Sequence, residues 1–134
     1  VDSIELAKAI SNQAQKISTT QKILLQVNLA QEITKGGFSA ESLRTIWPEL
    51  RELSGISITG LMTMPPLTDD PEDVRPYFQE LAKLQVELMK HSPGRHNLHE
   101  LSMGTSHDYH VAIAEGATIV RLGTILFGER PSKN

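Results

Sequence analysis

Two short stretches bring together groups able to grip an anion: Ser102-Met-Gly-Thr-Ser106 and Arg121-Leu-Gly-Thr124. The first sets the hydroxyls of Ser102, Thr105 and Ser106 at a helix start, where free main-chain N–H groups and the helix dipole favour negative charge. The second places Gly123 and Thr124 directly after an apolar strand, and a glycine there lets main chain approach a ligand closely. Each motif taken singly also suits a plain capped turn. Arg121 stands within that apolar strand, where an unpaired buried charge is costly. It therefore needs either a carboxylate such as Glu100 or a ligand ring or anion in front of it.

Other chemistries find less support. The Ser-x-Gly-x-Ser order is not the Gly-x-Ser-x-Gly elbow of a hydrolase, and no His–Asp partner set accompanies it. The five histidines do not converge: His91, His96 and His99 surround a turn, and His107 and His110 open a helix. They are expected at the surface, and no metal site is expected. Asp69, Asp70, Glu72 and Asp73 read as a solvated acidic start to a helix. Met62 and Met64 read as core packing, and Trp47 as part of a buried helical face.

The elements that must position these residues follow from periodicity. A helix is predicted from Ile4 to Ile17, capped by Asp2 or Ser3. Lys22 to Leu29 is a short, nearly continuous apolar run, which suits a strand covered on both faces. Ser39 opens a second helix carrying Leu43, Ile46, Trp47, Leu50 and Leu53, which stops near Gly55. Ile56 to Thr63 is a second strand, ended by Pro65-Pro66. Pro71 opens a long helix through Met89, closed by Pro93-Gly94. Leu98 to Ser102 is a third strand, Ser106 or Asp108 caps a helix reaching Glu115, and Gly116 ends it. Thr118 to Leu122 is the fourth strand. Strict alternation implies parallel strands joined by crossovers. Pattern alone leaves two architectures open, a small doubly wound sheet or half of a (β/α)₈ barrel. In both, ligands collect at the C-terminal strand ends. A whole barrel needs about 250 residues, so a barrel requires a partner segment.

Composition narrows the function classes. The 134 residues carry 22% charged side chains, a net charge of −3 and no cysteine. No basic stripe marks a nucleic-acid partner. No apolar run approaches the roughly 20 residues of a membrane span. The lack of thiols removes disulfides and thiolate chemistry and fits a cytoplasmic protein.

Several blocks carry a family resemblance: Leu25-Gln-Val-Asn28, Gly60-Leu-Met-Thr-Met-Pro-Pro66, Leu101-Ser-Met-Gly-Thr-Ser106, Ala112-Ile-Ala-Glu-Gly-Ala117 and Val120-Arg-Leu-Gly-Thr-Ile-Leu-Phe-Gly128. Together, along the whole chain, they resemble the pyridoxal phosphate homeostasis protein family, also called YggS/PROSC. The resemblance implies a (β/α)₈ TIM-type barrel like the N-terminal domain of bacterial alanine racemase. It implies bound pyridoxal 5'-phosphate and a role in vitamin B6 and amino-acid balance without established catalytic turnover. It would set Arg121 at the pyridine nitrogen and Ser102, Gly123 and Thr124 on the phosphate. Met103, Gly104 and Ser106 would shape the same loop, and Asn28 is a weaker candidate.

One departure matters. The family carries its cofactor on a lysine at the end of the first barrel strand, in a Val-Ser-Lys-like motif. Nothing here matches it: Lys8, Lys16, Lys22, Lys35, Lys83, Lys90 and Lys133 read as helix, turn or tail residues. Residues 1–134 are therefore expected to be the C-terminal half of one barrel domain, supplying its last four strand–helix units. The Schiff-base lysine would lie in an N-terminal half outside this sequence, which becomes the expected partner alongside pyridoxal phosphate. The intact protein is expected to be a monomer. The rival readings are an alanine-racemase-like enzyme, for which this chain offers no catalytic residue, and a small phosphate-binding α/β module.

Overall fold

The computed structural model describes residues 1–92 and 94–129, so Pro93 and Lys133 lie outside the described residues. Helices and strands alternate along the chain. They are α1 (Ile4–Lys16), β1 (Gln21–Gln26), α2 (Ala40–Leu50) and β2 (Ile56–Met62), then a 3-10 turn (Pro71–Val74) leading into α3 (Arg75–Met89). There follow β3 (Glu100–Thr105), α4 (Tyr109–Ala114), β4 (Ile119–Arg121) and a single turn, α5 (Thr124–Phe127).

The helix starts follow capping chemistry. The hydroxyls of Ser3 and Ser39 accept from the N–H groups of Leu6 and Ser42, satisfying donors that a first helical turn leaves free. The Asp70 carboxylate accepts from Glu72 N–H ahead of Pro71, so the acidic run is indeed a helix start. Asp108 holds the N-cap position of α4, but its carboxylate turns back to Thr105 instead of capping.

All strands are parallel and lie side by side in sequence order, β1-β2-β3-β4. The described sheet has no switch point of the kind at which a doubly wound sheet reverses its strand order. The core lies between the sheet and its helices. Ile23, Leu25, Ile58, Leu61, Leu101 and Met103 meet Leu43, Trp47, Phe78, Leu81, Leu84 and Val111, all buried. Fully burying side chains of this kind stabilises the fold by about 1.5–3 kcal/mol each.

The opposite face departs from expectation. A nearly continuous apolar strand predicts cover on both sides, yet β1 opens on two exposed residues and from Ile23 alternates between buried and half-buried ones. Leu24 and Met62 are half-buried and Ile119 is 39% exposed, because the described residues supply helices to one face only. At the outer edge of β1, Val1 adds a stub of ladder. Its nitrogen donates to Leu24 O and its carbonyl accepts from Gln26 N, both at 2.8 Å, in the pattern of a parallel pair.

Two irregularities re-aim the sheet. β2 holds one extra residue against β1 between the pairs Ile23–Ile58 and Leu24–Gly60. At Gly60 a Cβ would stand 2.0 Å from Glu100 O, so only glycine lets β2 and β3 approach. β3 holds one extra residue against β4 between Ser102–Ile119 and Thr105–Arg121. Gly104 absorbs that bulge at φ +94°, with its missing Cβ leaving room for Ala112 and Tyr109. β3 therefore continues through Gly104 to Thr105, past the predicted end at Ser102.

His96 corrects the expectation that the histidines are superficial: it is 2% exposed. Its Nδ1 accepts from Ile58 N–H at 3.0 Å, and its Nε2 faces Arg51 O at 2.9 Å. The first contact requires a bare Nδ1, which leaves the ring proton on Nε2 to face Arg51 O. Arg95 Nε, at 3.2 Å from Nε2, is then a close neighbour and not a donor to it. Trp47 packs edge-on against the same ring.

Candidate functional site

Arg121, the last residue of β4, meets the end of β2 and the middle of β3. Its Nη1 donates to the carbonyl and the hydroxyl of Ser102, at 3.0 and 2.7 Å, and its Nη2 donates to Thr63 O at 2.9 Å. Glu100 is not its partner, because that carboxylate accepts from the Thr118 hydroxyl. Among the described residues no carboxylate lies in salt-bridge contact with Arg121. Burial lowers the arginine's pKa below its ordinary value, an effect opposed by the Asp108 carboxylate. The result is a half-buried cation held only by neutral oxygens. Three of its five N–H groups are engaged, which leaves two for something else.

A second group forms beside it. The Ser106 hydroxyl accepts from the N–H groups of Gly123 at 3.0 Å and Ile125 at 3.3 Å. The β3 bulge makes this possible by swinging Ser106 toward the turn after β4. Asp108, 6% exposed, fixes that bend by accepting from both the N–H and the hydroxyl of Thr105, at 2.6 and 3.1 Å. Met103 is fully buried beneath it, and Gly104 is the pivot. Gly123 and Thr124 are exposed, and a Cβ at Gly123 would meet no atom within 4 Å.

The fold thus brings Ser102 together with Arg121, and Ser106 together with Gly123 and the turn that Thr124 opens. It does not bring Asn28 to either group. The Asn28 amide holds its own loop instead, donating to Glu32 O and Lys35 O and accepting from Glu32 N–H. Lys35 belongs to the same loop, with its ammonium paired to Glu32 at 2.7 Å and near the carbonyls of Met64 and Pro65. Lys22 lies near the beginning of β1, away from that strand's C-terminal end, whereas Lys35 stands just beyond the ends of β1 and β2. Met64 is 46% exposed and Met62 half-buried, so neither is core. A concavity of about 580 Å³ opens beside the Asn28–Lys35 loop, reaching Arg44 and Glu80; it does not include Arg121 or Ser106.

Sequence reasoning placed Thr63 only in a strand-end block and Asp108 only as a helix cap, and assigned neither to this site. Both are small polar residues at strand or loop ends inside otherwise apolar surroundings. A hydroxyl directly before Met64-Pro65-Pro66 was the available signal for Thr63.

The site offers a half-buried cation bonded to neutral oxygens and, beside it, a turn rich in hydrogen-bond donors. The chain is 48% identical over 132 residues to the pyridoxal phosphate homeostasis protein of Aquifex aeolicus, covering 97% of this chain and 56% of that protein. The structure of PipY from Synechococcus elongatus with pyridoxal phosphate bound superposes with a TM-score of 0.85 at 37% identity, over 96% of this chain and 58% of that one. Without pyridoxal phosphate the same protein gives 0.87 at 38% identity, over 96% and 59%. This chain spans little more than half the length of these relatives. The described residues contain no helix long and apolar enough to cross a membrane. Residues 1–131 match the family described as alanine racemase, N-terminal domain, and the chain belongs to that family.

Proposed function

We propose that this chain is the phosphate-gripping, C-terminal half of a (β/α)₈ barrel that binds pyridoxal 5'-phosphate and serves vitamin B6 homeostasis without catalytic turnover. The observation that carries the reading is the half-buried Arg121, bonded only to the neutral oxygens of Ser102 and Thr63. A cation so placed suits an acceptor ring nitrogen. When bound, pyridoxal phosphate supplies an aldehyde and an electron-withdrawing ring, and an arginine opposite the ring nitrogen disfavours its protonation and weakens that withdrawal.

The donor set fits the phosphate as well. Ser102 and Ser106 use their hydroxyl oxygens as acceptors here, so each keeps an O–H to give to a phosphate oxygen. The main chain at Gly123 and Thr124 lies in open space, where a ligand can approach. Met103 and Gly104 shape the loop. The relatives support the remainder of the reading by their names and by the pyridoxal phosphate bound to PipY.

The barrel and the supply of a cofactor lysine by a preceding segment are part of the same proposal. Val1 in ladder register beside β1, the uncovered face of the sheet and the length of the relatives support it. The decisive experiment is a titration of the full-length protein with pyridoxal phosphate, before and after Arg121→Gln. Losing a hydrogen-bonding charge at the ring should weaken binding by about tenfold. Unchanged affinity would overturn the assignment of Arg121. Amino-acid racemisation above background would overturn the non-catalytic reading.

A further inference from the structure

β2 stops pairing with β1 one residue before Thr63. The last main-chain bond between them is Val27 N–H to Met62 O, at 2.8 Å. Were the ladder to continue, the amide of Met64 would reach the carbonyl of Val27. Pro65 and Pro66 follow at once and have no N–H to give. The Thr63 hydroxyl takes that place and donates to Val27 O at 2.8 Å. Its N–H donates to Ser102 O at 3.1 Å, and its carbonyl accepts from Arg121 Nη2 at 2.9 Å. The residue is 1% exposed. One buried residue therefore touches the residue just past β1, the middle of β3 and the arginine of β4.

We propose that Thr63 is the positioning residue for Arg121. Its hydroxyl, anchored on Val27, fixes where its carbonyl stands, and that carbonyl together with Ser102 O fixes the plane of the guanidinium. The inference rests on the assignment of Arg121 to the ring of pyridoxal phosphate. Hydrogen bonds weaken steeply as their angle falls, so a small tilt of the planar guanidinium loses the ring. Of the residues offered to the phosphate, Thr63 touches only Ser102, and there the main-chain carbonyl and not the hydroxyl; Ser106 and Gly123–Ile125 have no bond to it. Ring and phosphate affinity should therefore separate.

The test compares Thr63→Val, which keeps the shape and removes the hydroxyl, with Thr63→Ser, which restores it. Calorimetry on the full-length protein, at a temperature where circular dichroism shows every variant folded, measures affinity for pyridoxal phosphate and for inorganic phosphate. Thr63→Val should weaken pyridoxal phosphate by about fivefold to tenfold and leave inorganic phosphate within about twofold. Thr63→Ser should bind as the parent does, and Thr63→Val should add nothing on an Arg121→Gln background. Should Thr63→Val not fold, Thr63→Ala is read by the same criteria. Equal loss for both ligands, no loss for either, or additivity with Arg121→Gln would overturn the inference. If instead the parent fails to bind pyridoxal phosphate, or Arg121→Gln binds as the parent does, the assignment of Arg121 itself fails.

Discussion

The hydroxyl of Ser106 accepts the main-chain N–H of Gly123 at 3.0 Å, across a gap that the β3 bulge closes. A second N–H, from Ile125, reaches the same oxygen. A phosphate oxygen would be drawn to the same donors, so two roles compete. As a ligand, Ser106 adds an O–H bond to a dianion; as a stand-in, it blocks the two N–H groups. The two N–H groups are exposed, so water satisfies them when the hydroxyl is removed and little is gained. Ser106→Ala should therefore weaken binding of inorganic phosphate to the full-length protein by about threefold to tenfold, since bonds to charged groups are the stronger kind. A gain in affinity would identify Ser106 as a competitor of the ligand.

Gly104 and Gly116 form a natural pair for separating strain from overlap. Their φ angles are +94° and +96°, so alanine carries the same backbone penalty at both. At Gly104 the new Cβ would sit 2.7 Å from Ala112 Cβ and 3.0 Å from Tyr109 Cα, whereas at Gly116 it would meet nothing within 4 Å. Gly116→Ala should cost about 1 kcal/mol and Gly104→Ala about 2–4 kcal/mol. Chemical denaturation measures both, and equal losses would mean that α4 shifts freely away from β3.

His96 sets an acid limit on stability. Burial holds its pKa below the ordinary value, ahead of a raising influence from the Arg51 carbonyl, a lowering one from Arg95 and a raising one from Glu52. Protonating Nδ1 would also turn an acceptor for Ile58 N–H into a donor. The folded state thus binds this proton less readily than the unfolded chain, whose histidine titrates near 6.5. Stability is whole above about pH 6.5 and falls on acidification toward the lower folded pKa, with a slope of at most about 1.4 kcal/mol per pH unit. Melting temperatures between pH 7.5 and 5 should show this decline, and His96→Gln should flatten it. A slope unchanged in that variant would assign the decline to other groups.

How much of this was legible beforehand depends on the range of the contacts. The order of elements, the helix caps at Ser3 and Ser39 and the buried face of α2 follow from spacing within one turn, and they are visible in the chain. The pairing of Ser106 with Gly123 was visible only as two donor-rich loops after adjacent strands. The continuation of β3 through Gly104 was not, because a glycine reads as a break unless its left-handed bulge is known. His96 read as a surface residue since its partners, Ile58 and Arg51, come from elements 38 and 45 positions away. Thr63 read as the end of a strand because its bonds join three other strands, none of which local sequence can place.

The free edge at β4 yields a last expectation. Ile119 is 39% exposed, and α5 beyond it shows Ile125 at 53%, Leu126 at 65% and Phe127 at 86%. β4 ends the described sheet, so its main-chain groups on that side are unpaired by another strand. Apolar side chains beside an open edge favour pairing between chains. The 134-residue chain on its own should self-associate in sedimentation velocity, and Phe127→Asp should reduce that association. In the full-length protein the proposed first half of the barrel would cover this edge, and the same substitution should cost about 1.5–3 kcal/mol of stability. Ile33, fully exposed on the loop after β1, provides the comparison. Ile33→Asp should change neither measurement, and if it acts like Phe127→Asp, general surface hydrophobicity rather than the β4 edge drives association.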